Sequence, residues 1–223
     1  MTGIYHPDGG QILVGGKPVE FRGTQQAWKN GITAVHQETV MFDELSVAEN
    51  IFSGYFLKRG KYLLDWASMR SRAAQLMEDL ESEIRPETPL KFLSVAQKHI
   101  VEIARALSYD SSVVIMDEPT AALSAHGIED LYKIVRHLKR LGKAILFISH
   151  KFDDVFASCD LYTVYRDGCY VGEGKIADVN QDDLVRMMVG RSRRCFRSRR
   201  RTSVRPCWSC ASWAMTLNLM TSA

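Results

Sequence analysis

LSVAQKHIVEIARALSYDSSVVIMDEPTAALS, running from Leu93 to Ser124, decides the fold. Its opening turn, Ser94-Val95-Ala96-Gln97, precedes apolar residues at Ile100, Ile103, Ala104 and Leu107. Those positions share one helical face, which predicts a helix of about four turns. Val113 to Met116 is a continuous apolar run bounded by polar residues, the pattern of a strand buried on both faces. The run ends in paired carboxylates, Asp117 and Glu118, and then Pro119-Thr120. Strand ends of this kind are where open α/β sheets place ligands.

Outward from that stretch the pattern alternates. Ile128 to Leu141 reads as a helix with Leu131, Ile134, Val135 and Leu138 on one face. Ala144 to Ile148 reads as a second buried strand, and Lys151 to Ser158 as the next helix. Strand–helix–strand order implies a mostly parallel α/β sheet. Tyr162 to Tyr165 and Cys169 to Val171 form a hairpin around Asp167-Gly168, and Asp182 to Val189 is a short helix. On the N-terminal side, Gln11 to Phe21 predicts a hairpin turning at Gly15-Gly16. Thr24 is placed to cap a short helix that stops at Gly31, and Ile32 to His36 forms a strand. Ser46 caps a second short helix, and Asp65 to Leu80 carries a helical stripe that includes Trp66, Met69, Ala73 and Met77.

Composition excludes several classes. No apolar run approaches the ~20 residues needed to span a bilayer, and Met1 to Gln11 holds no signal segment, so a cytoplasmic location is expected. The net charge of +3 is uneven. Eight of the 29 basic residues are arginines beyond Gly190, where no Asp or Glu occurs; the other 21 face 26 acidic residues. The basic character therefore belongs to residues 191–223 and not to a binding face. That segment has neither helical nor strand period, and its Arg, Ser, Cys and Trp enrichment reads as a disordered or out-of-frame tail. The domain is expected to be 1–190.

The paired carboxylates suggest metal-assisted hydrolysis. One carboxylate holds Mg²⁺, usually through water, while the next orients and deprotonates an attacking water. An acidic pair opening a turn is by itself more often structural; its setting after the Ser94 turn favours chemistry. The free N–H groups at a helix start make Ser94 to Gln97 an anion site, although Ser94 also serves as a plain N-cap. His150, at the end of the strand AILFIS, and Gln37, after the strand ITAVH, are weak candidates when taken singly. Gly16-Lys17, Gly60-Lys61, Gly142-Lys143 and Gly174-Lys175 each mimic the end of a phosphate-binding loop. The glycine required five places earlier is instead Gln11, Tyr55, His137 and Cys169. Cys207-Trp-Ser-Cys210 is a single C-x-x-C with no second ligand pair, which argues against zinc or redox chemistry.

From about Gly3 to Gly190 these motifs resemble, in order, an ATP-binding cassette (ABC) ATPase, a P-loop NTPase-like α/β domain with a helical signature subdomain at about 40–108. HQETVMFDELSVAENIF and LSVAQKHIVEIARAL are similar to the first cassette of monosaccharide importers of the ribose, galactose, xylose and rhamnose class, with the rhamnose type as the narrower expectation. The resemblance implies that Asp117 and Gln37 serve Mg²⁺ and that Glu118, His150 and Gln37 serve hydrolysis of ATP. Ser94, Val95, Ala96 and Gln97 are then the signature turn that reaches the γ-phosphate on a partner cassette. Implied partners are a second cassette in a head-to-tail dimer, membrane permease subunits at the inner face of the membrane and, indirectly, a sugar-binding protein, with no specific nucleic acid.

The sequence departs from the family in three ways. Val95-Ala96 replace two glycines of the usual Leu-Ser-Gly-Gly-Gln, and Ser124 stands where the loop after Glu118 usually ends in Asp. The Walker A loop and the strand before it are absent. The expectation is a cassette truncated at its N-terminus, without useful ATP affinity in cis and with unpaired backbone at the centre of its sheet. A chromosome-type cassette would need a long coiled coil between Gln37 and Leu93, whereas only about 55 residues without sustained heptads intervene. The remaining alternative is a non-catalytic module that offers Ser94 to Gln97 in trans, or the arginine tail to nucleic acid.

Overall fold

The computed structural model describes residues 2–4, 7, 9–35, 41–60, 63–189 and 214–218. The expected first hairpin forms from β1 (Ile12–Val14) and β2 (Lys17–Val19). It turns at Gly15-Gly16, whose φ angles of 56° and 76° favour glycine. Helix α1 (Thr24–Lys29) is capped one residue earlier than expected: Thr24 is its first residue, Gly23 is the N-cap, and no side chain caps it. Strand β3 (Ile32–Val35) follows.

The next segment is mainly helical. Helix α2 (Val47–Ile51) starts at a reciprocal capping box between Ser46 and Glu49. A short hairpin, β4 (Lys58–Arg59) and β5 (Leu63–Leu64), leads into α3 (Trp66–Asp79), capped by Asp65. Met69, Ala73 and Met77 of α3 are buried as expected, but Trp66 is exposed, because a first-turn residue overhangs the end of the packed face. A 3-10 turn at Leu90–Phe92 precedes α4 (Val95–Leu107). Fully buried Asn50 braces this region, donating to the carbonyls of Phe42, Leu45 and Ser46 and accepting the Phe42 N–H at 2.9 Å.

The remaining elements are β6 (Val113–Asp117), α5 (Ala125–Arg140), β7 (Ala144–Ile148), α6 (Phe152–Ser158), β8 (Leu161–Arg166), β9 (Cys169–Lys175), α7 (Gln181–Val189) and β10 (Ala214–Asn218). The main sheet runs β3-β6-β7-β10-β8-β9, with β3, β6 and β7 parallel. Alternation along the strands separates two apolar layers. Val35, Val114, Met116, Ile145 and Phe147 join the large core with the helices, while Ile32, Ile115 and Leu146 pack with Phe21 and Ala27 on the other face.

The expectation of unpaired backbone at the sheet centre is not met by the described residues. Strand β10 lies between β7 and β8, antiparallel to both, with Met215 opposite Ile148 on one side and Thr163 on the other. It places five residues of the 191–223 segment in the sheet, although that segment has no strand period in its side chains. Main-chain hydrogen bonding is the physical reason: the ladder needs extended backbone, not a period-two side-chain pattern.

Candidate active site

Parallel pairing brings the site together. Asp117 of β6 lies opposite Ile148 of β7, so both strands end side by side at their carboxyl edge. The Glu118 N–H donates to the Ile148 carbonyl at 2.9 Å, extending the ladder one residue past the strand. Glu118 then turns away with φ 47°, the left-handed region, which costs a non-glycine residue about 1–2 kcal/mol. That turn aims its carboxylate at His150: Oε1 and Nδ1 are 2.8 Å apart. An ionised carboxylate only accepts, so Nδ1 carries the shared proton and Nε2 is left to face a ligand. The Glu118 side chain is 17% exposed and that of His150 62%, so the pair lies at the mouth of the sheet with its imidazole in water.

The following loops interlock. Thr120 and Ser149 both donate to Asp154, in the first turn of α6, and the Lys151 ammonium donates to the Thr120 carbonyl at 3.3 Å. None of these contacts was foreseen. Asp153-Asp154 in a helix's first turn reads as ordinary complementing of the helix dipole, and only the fold shows that one of the two points inward.

Helix α4 carries the second cluster. Ser94 Oγ accepts the Gln97 N–H, and Gln97 Oε1 accepts the Ser94 N–H at 2.9 Å. This leaves the Val95 and Ala96 N–H groups as helix-start donors. Phe92 and Val95 are 72% and 54% exposed, so the turn is presented outward. Its other side is closely packed: a Cβ built on Gly127 would stand 3.1 Å from Ala96 Cβ. Ser124 caps α5, accepting the Gly127 N–H at 3.3 Å, a service that Asp performs equally well.

Thus the structure joins Asp117, Glu118 and His150 at one edge and shapes Ser94 to Gln97 at another, while Gln37 lies outside the described residues. No group of three His, Cys, Asp or Glu among the described residues forms a metal cage. Asp117 nonetheless suits Mg²⁺, which keeps most of its waters and takes one or two carboxylates plus substrate phosphates. A cavity of about 760 Å³ between α3, α4 and α5, lined by Arg72, Asp79, Asp110 and Lys143, includes none of these residues.

A mixed sheet whose parallel strands end in an Asp-Glu pair beside a histidine, with a capped helix start in the flanking helical segment, is the arrangement expected of an ATP-binding cassette. The chain belongs to the ABC transporter family, whose model matches residues 1–121. It is 58% identical over 193 residues to the ribose import ATP-binding protein RbsA of Jannaschia sp. (strain CCS1), covering 86% of this chain and 37% of that protein. It is 57% identical to ribose import ATP-binding protein RbsA 1 of Agrobacterium fabrum, covering 86% of this chain and 38% of that one. The chain thus spans little more than a third of these relatives' length. Among solved structures, a nucleotide-free ATP-binding cassette from an ABC transporter matches with TM-score 0.71 and 24% identity, over 85% of this chain and 80% of that one. The cbiO1 protein of Clostridium perfringens, part of the ABC transporter complex cbiONQ, matches with TM-score 0.68 and 28% identity, over 82% of this chain and 73% of that one.

Proposed function

We propose that this chain is cassette sequence of an ATP-hydrolysing subunit that powers import of a monosaccharide, acting with a second cassette and a membrane permease at the cytoplasmic face. The observation that carries the reading is the 2.8 Å contact between Glu118 and His150 across the ends of two parallel strands. Six relatives at 54–58% identity are all named ribose import proteins, which favours a ribose-type sugar over the rhamnose type. No helix among the described residues is long and apolar enough to cross a membrane, so docking on a permease is the proposed route to the bilayer.

In this reading Glu118 is the general base, taking a proton from the attacking water. His150, oriented through Nδ1, turns Nε2 toward the γ-phosphate. Asp117 would hold Mg²⁺, and Gln37 would sense the ion and the attacking water. When bound, Mg·ATP supplies the electrophilic phosphoryl group and the charge neutralisation that such transfers need. The Val95 and Ala96 N–H groups and the Ser94 hydroxyl serve a γ-phosphate held by the partner cassette.

These 223 residues contain no G-x-x-x-x-G-K, so ATP bound by this chain alone lacks its main cradle. Phosphate release should therefore be undetectable from the chain by itself. Added to a cassette that carries its own phosphate loop, the chain should raise turnover, and Ser94→Ala should abolish the increase. Turnover by the chain alone would refute the missing-cradle argument. No stimulation in trans would remove the composite-site reading.

A further inference from the structure

The carboxylate of Asp154 has no part in the chemistry assigned above, yet three hydroxyl groups converge on it and it is only 3% exposed. Thr120 Oγ1 and Ser149 Oγ (3.2 Å) donate to Oδ2, and the Tyr132 hydroxyl donates to Oδ1 at 2.6 Å. Thr120 lies two residues after Glu118, and Ser149 immediately precedes His150. The loop carrying the proposed base and the loop carrying the proposed phosphate contact are therefore tied to the same oxygen. Ser149 Oγ also accepts the Lys151 N–H at 3.0 Å, which fixes the turn containing His150.

We propose that Asp154 is a positioning residue for hydrolysis: through Thr120 and Ser149 it holds Glu118 and His150 in contact. The assignment rests on the ATPase reading above. Ionised, a carboxylate only accepts, so every hydroxyl proton around it has a fixed direction. Hydrogen bonds to a charged acceptor are roughly twice as strong as neutral ones, and burial strengthens them further. The site needs such a brace. Glu118 has a left-handed backbone, which persists only where the surroundings over-determine it, and the exposed His150 ring is not fixed by packing.

The competing view makes Asp154 a buried polar hub that serves stability alone. Tyr132 separates the two. It belongs to α5, away from both catalytic loops in sequence, and donates to the other carboxylate oxygen. Burial first, then its bond to Asp154, pushes its phenol pKa up and keeps it a neutral donor.

The test is nitrogen-15 NMR of the His150 ring in the full chain, at fixed pH and without nucleotide. The unsubstituted chain should show ring nitrogen shifts of an imidazole with its Nδ1–H bonded to Glu118, a signal lost directly in Glu118→Ala. Ser149→Ala, Thr120→Val and Asp154→Asn should also lose it. Tyr132→Phe should keep it, even where its Tm falls as far as that of the others. The proposal is overturned if the signal survives in Asp154→Asn or in both Ser149→Ala and Thr120→Val, fades in Tyr132→Phe in step with Tm, or is missing from the unsubstituted chain. Because no nucleotide is present, failure of the trans-stimulation assay leaves this signal untouched, and loss of the brace is read without that assay.

Discussion

The loops after β6 and β7 and the first turn of α4 carry two halves of one proposed chemistry, and they are built in opposite ways. At the strand ends, Glu118, His150, Thr120, Ser149 and Lys151 are joined to one another or to Asp154 across sequence gaps of up to 34 residues. At α4, Ser94 and Gln97 cap each other across three residues, and Phe92 and Val95 face solvent. Groups that must act together within one chain are held by tertiary contacts. A turn that offers backbone donors to something outside the chain needs only a rigid local shape and one packed side, here Ala96 against Gly127.

The comparison makes the strand ends costly to disturb and the turn tolerant. Phe147, 1% exposed in the large core and lying in β7 three residues before His150, should be the most sensitive position. Phe147→Ala is expected to cost about 3–5 kcal/mol in urea unfolding, because a large core side chain leaves a cavity. Val95→Ala, at an exposed helix start, should stay within about 0.5 kcal/mol. A similar cost for both would erase the contrast. Next in size is Asp154→Ala, at about 3 kcal/mol, since it takes the acceptor from three hydroxyl donors at once. A cost below about 1 kcal/mol would mean that the hydroxyls find other acceptors.

Legibility in the sequence followed the same line. Strands β6 and β7 were readable because apolar runs such as VVIM and AILFI admit few other placements. The Ser94 and Ser46 caps were readable because a capping box spans only four residues. Asp154 was not readable: its three partners come from the loop after β6, the middle of α5 and the end of β7, and only the sheet register brings them together. Strand β10 was not readable either. Its place between β7 and β8 is set by backbone pairing, which leaves no period in AMTLN to detect. Trp66 shows the limit of periodicity, since a helical stripe marks a face but not where the packed neighbour ends.

The caps offer a finer test. Ser94→Ala and Ser124→Ala each remove an N-cap acceptor, so each should cost about 1 kcal/mol in thermal or urea unfolding. Their effects on stimulation of a partner cassette should differ more than their stabilities do. In the proposed reading Ser94 serves the partner's phosphate as well as capping α4, whereas Ser124 is assigned only its cap of α5. Equal loss of stimulation from both would assign the effect to helix fraying and not to presentation of the turn.

The smallest expected change has the opposite sign. Glu118 occupies φ 47°, a region in which Asn is far better tolerated than Glu. Glu118→Asn should therefore relieve backbone strain, and the contact it gives up is one hydrogen bond to a largely exposed histidine. The net expectation is stabilisation by about 0.5 kcal/mol, read as a small rise in Tm, together with loss of the His150 Nδ1–H signal and of any turnover. A stabilised chain with a broken pair would place stored strain at the strand ends, where a carboxylate is kept in an unfavourable backbone for the sake of its direction. A destabilised one would mean that the Glu118–His150 contact outweighs the strain and that this corner is held by its chemistry as well as by Asp154.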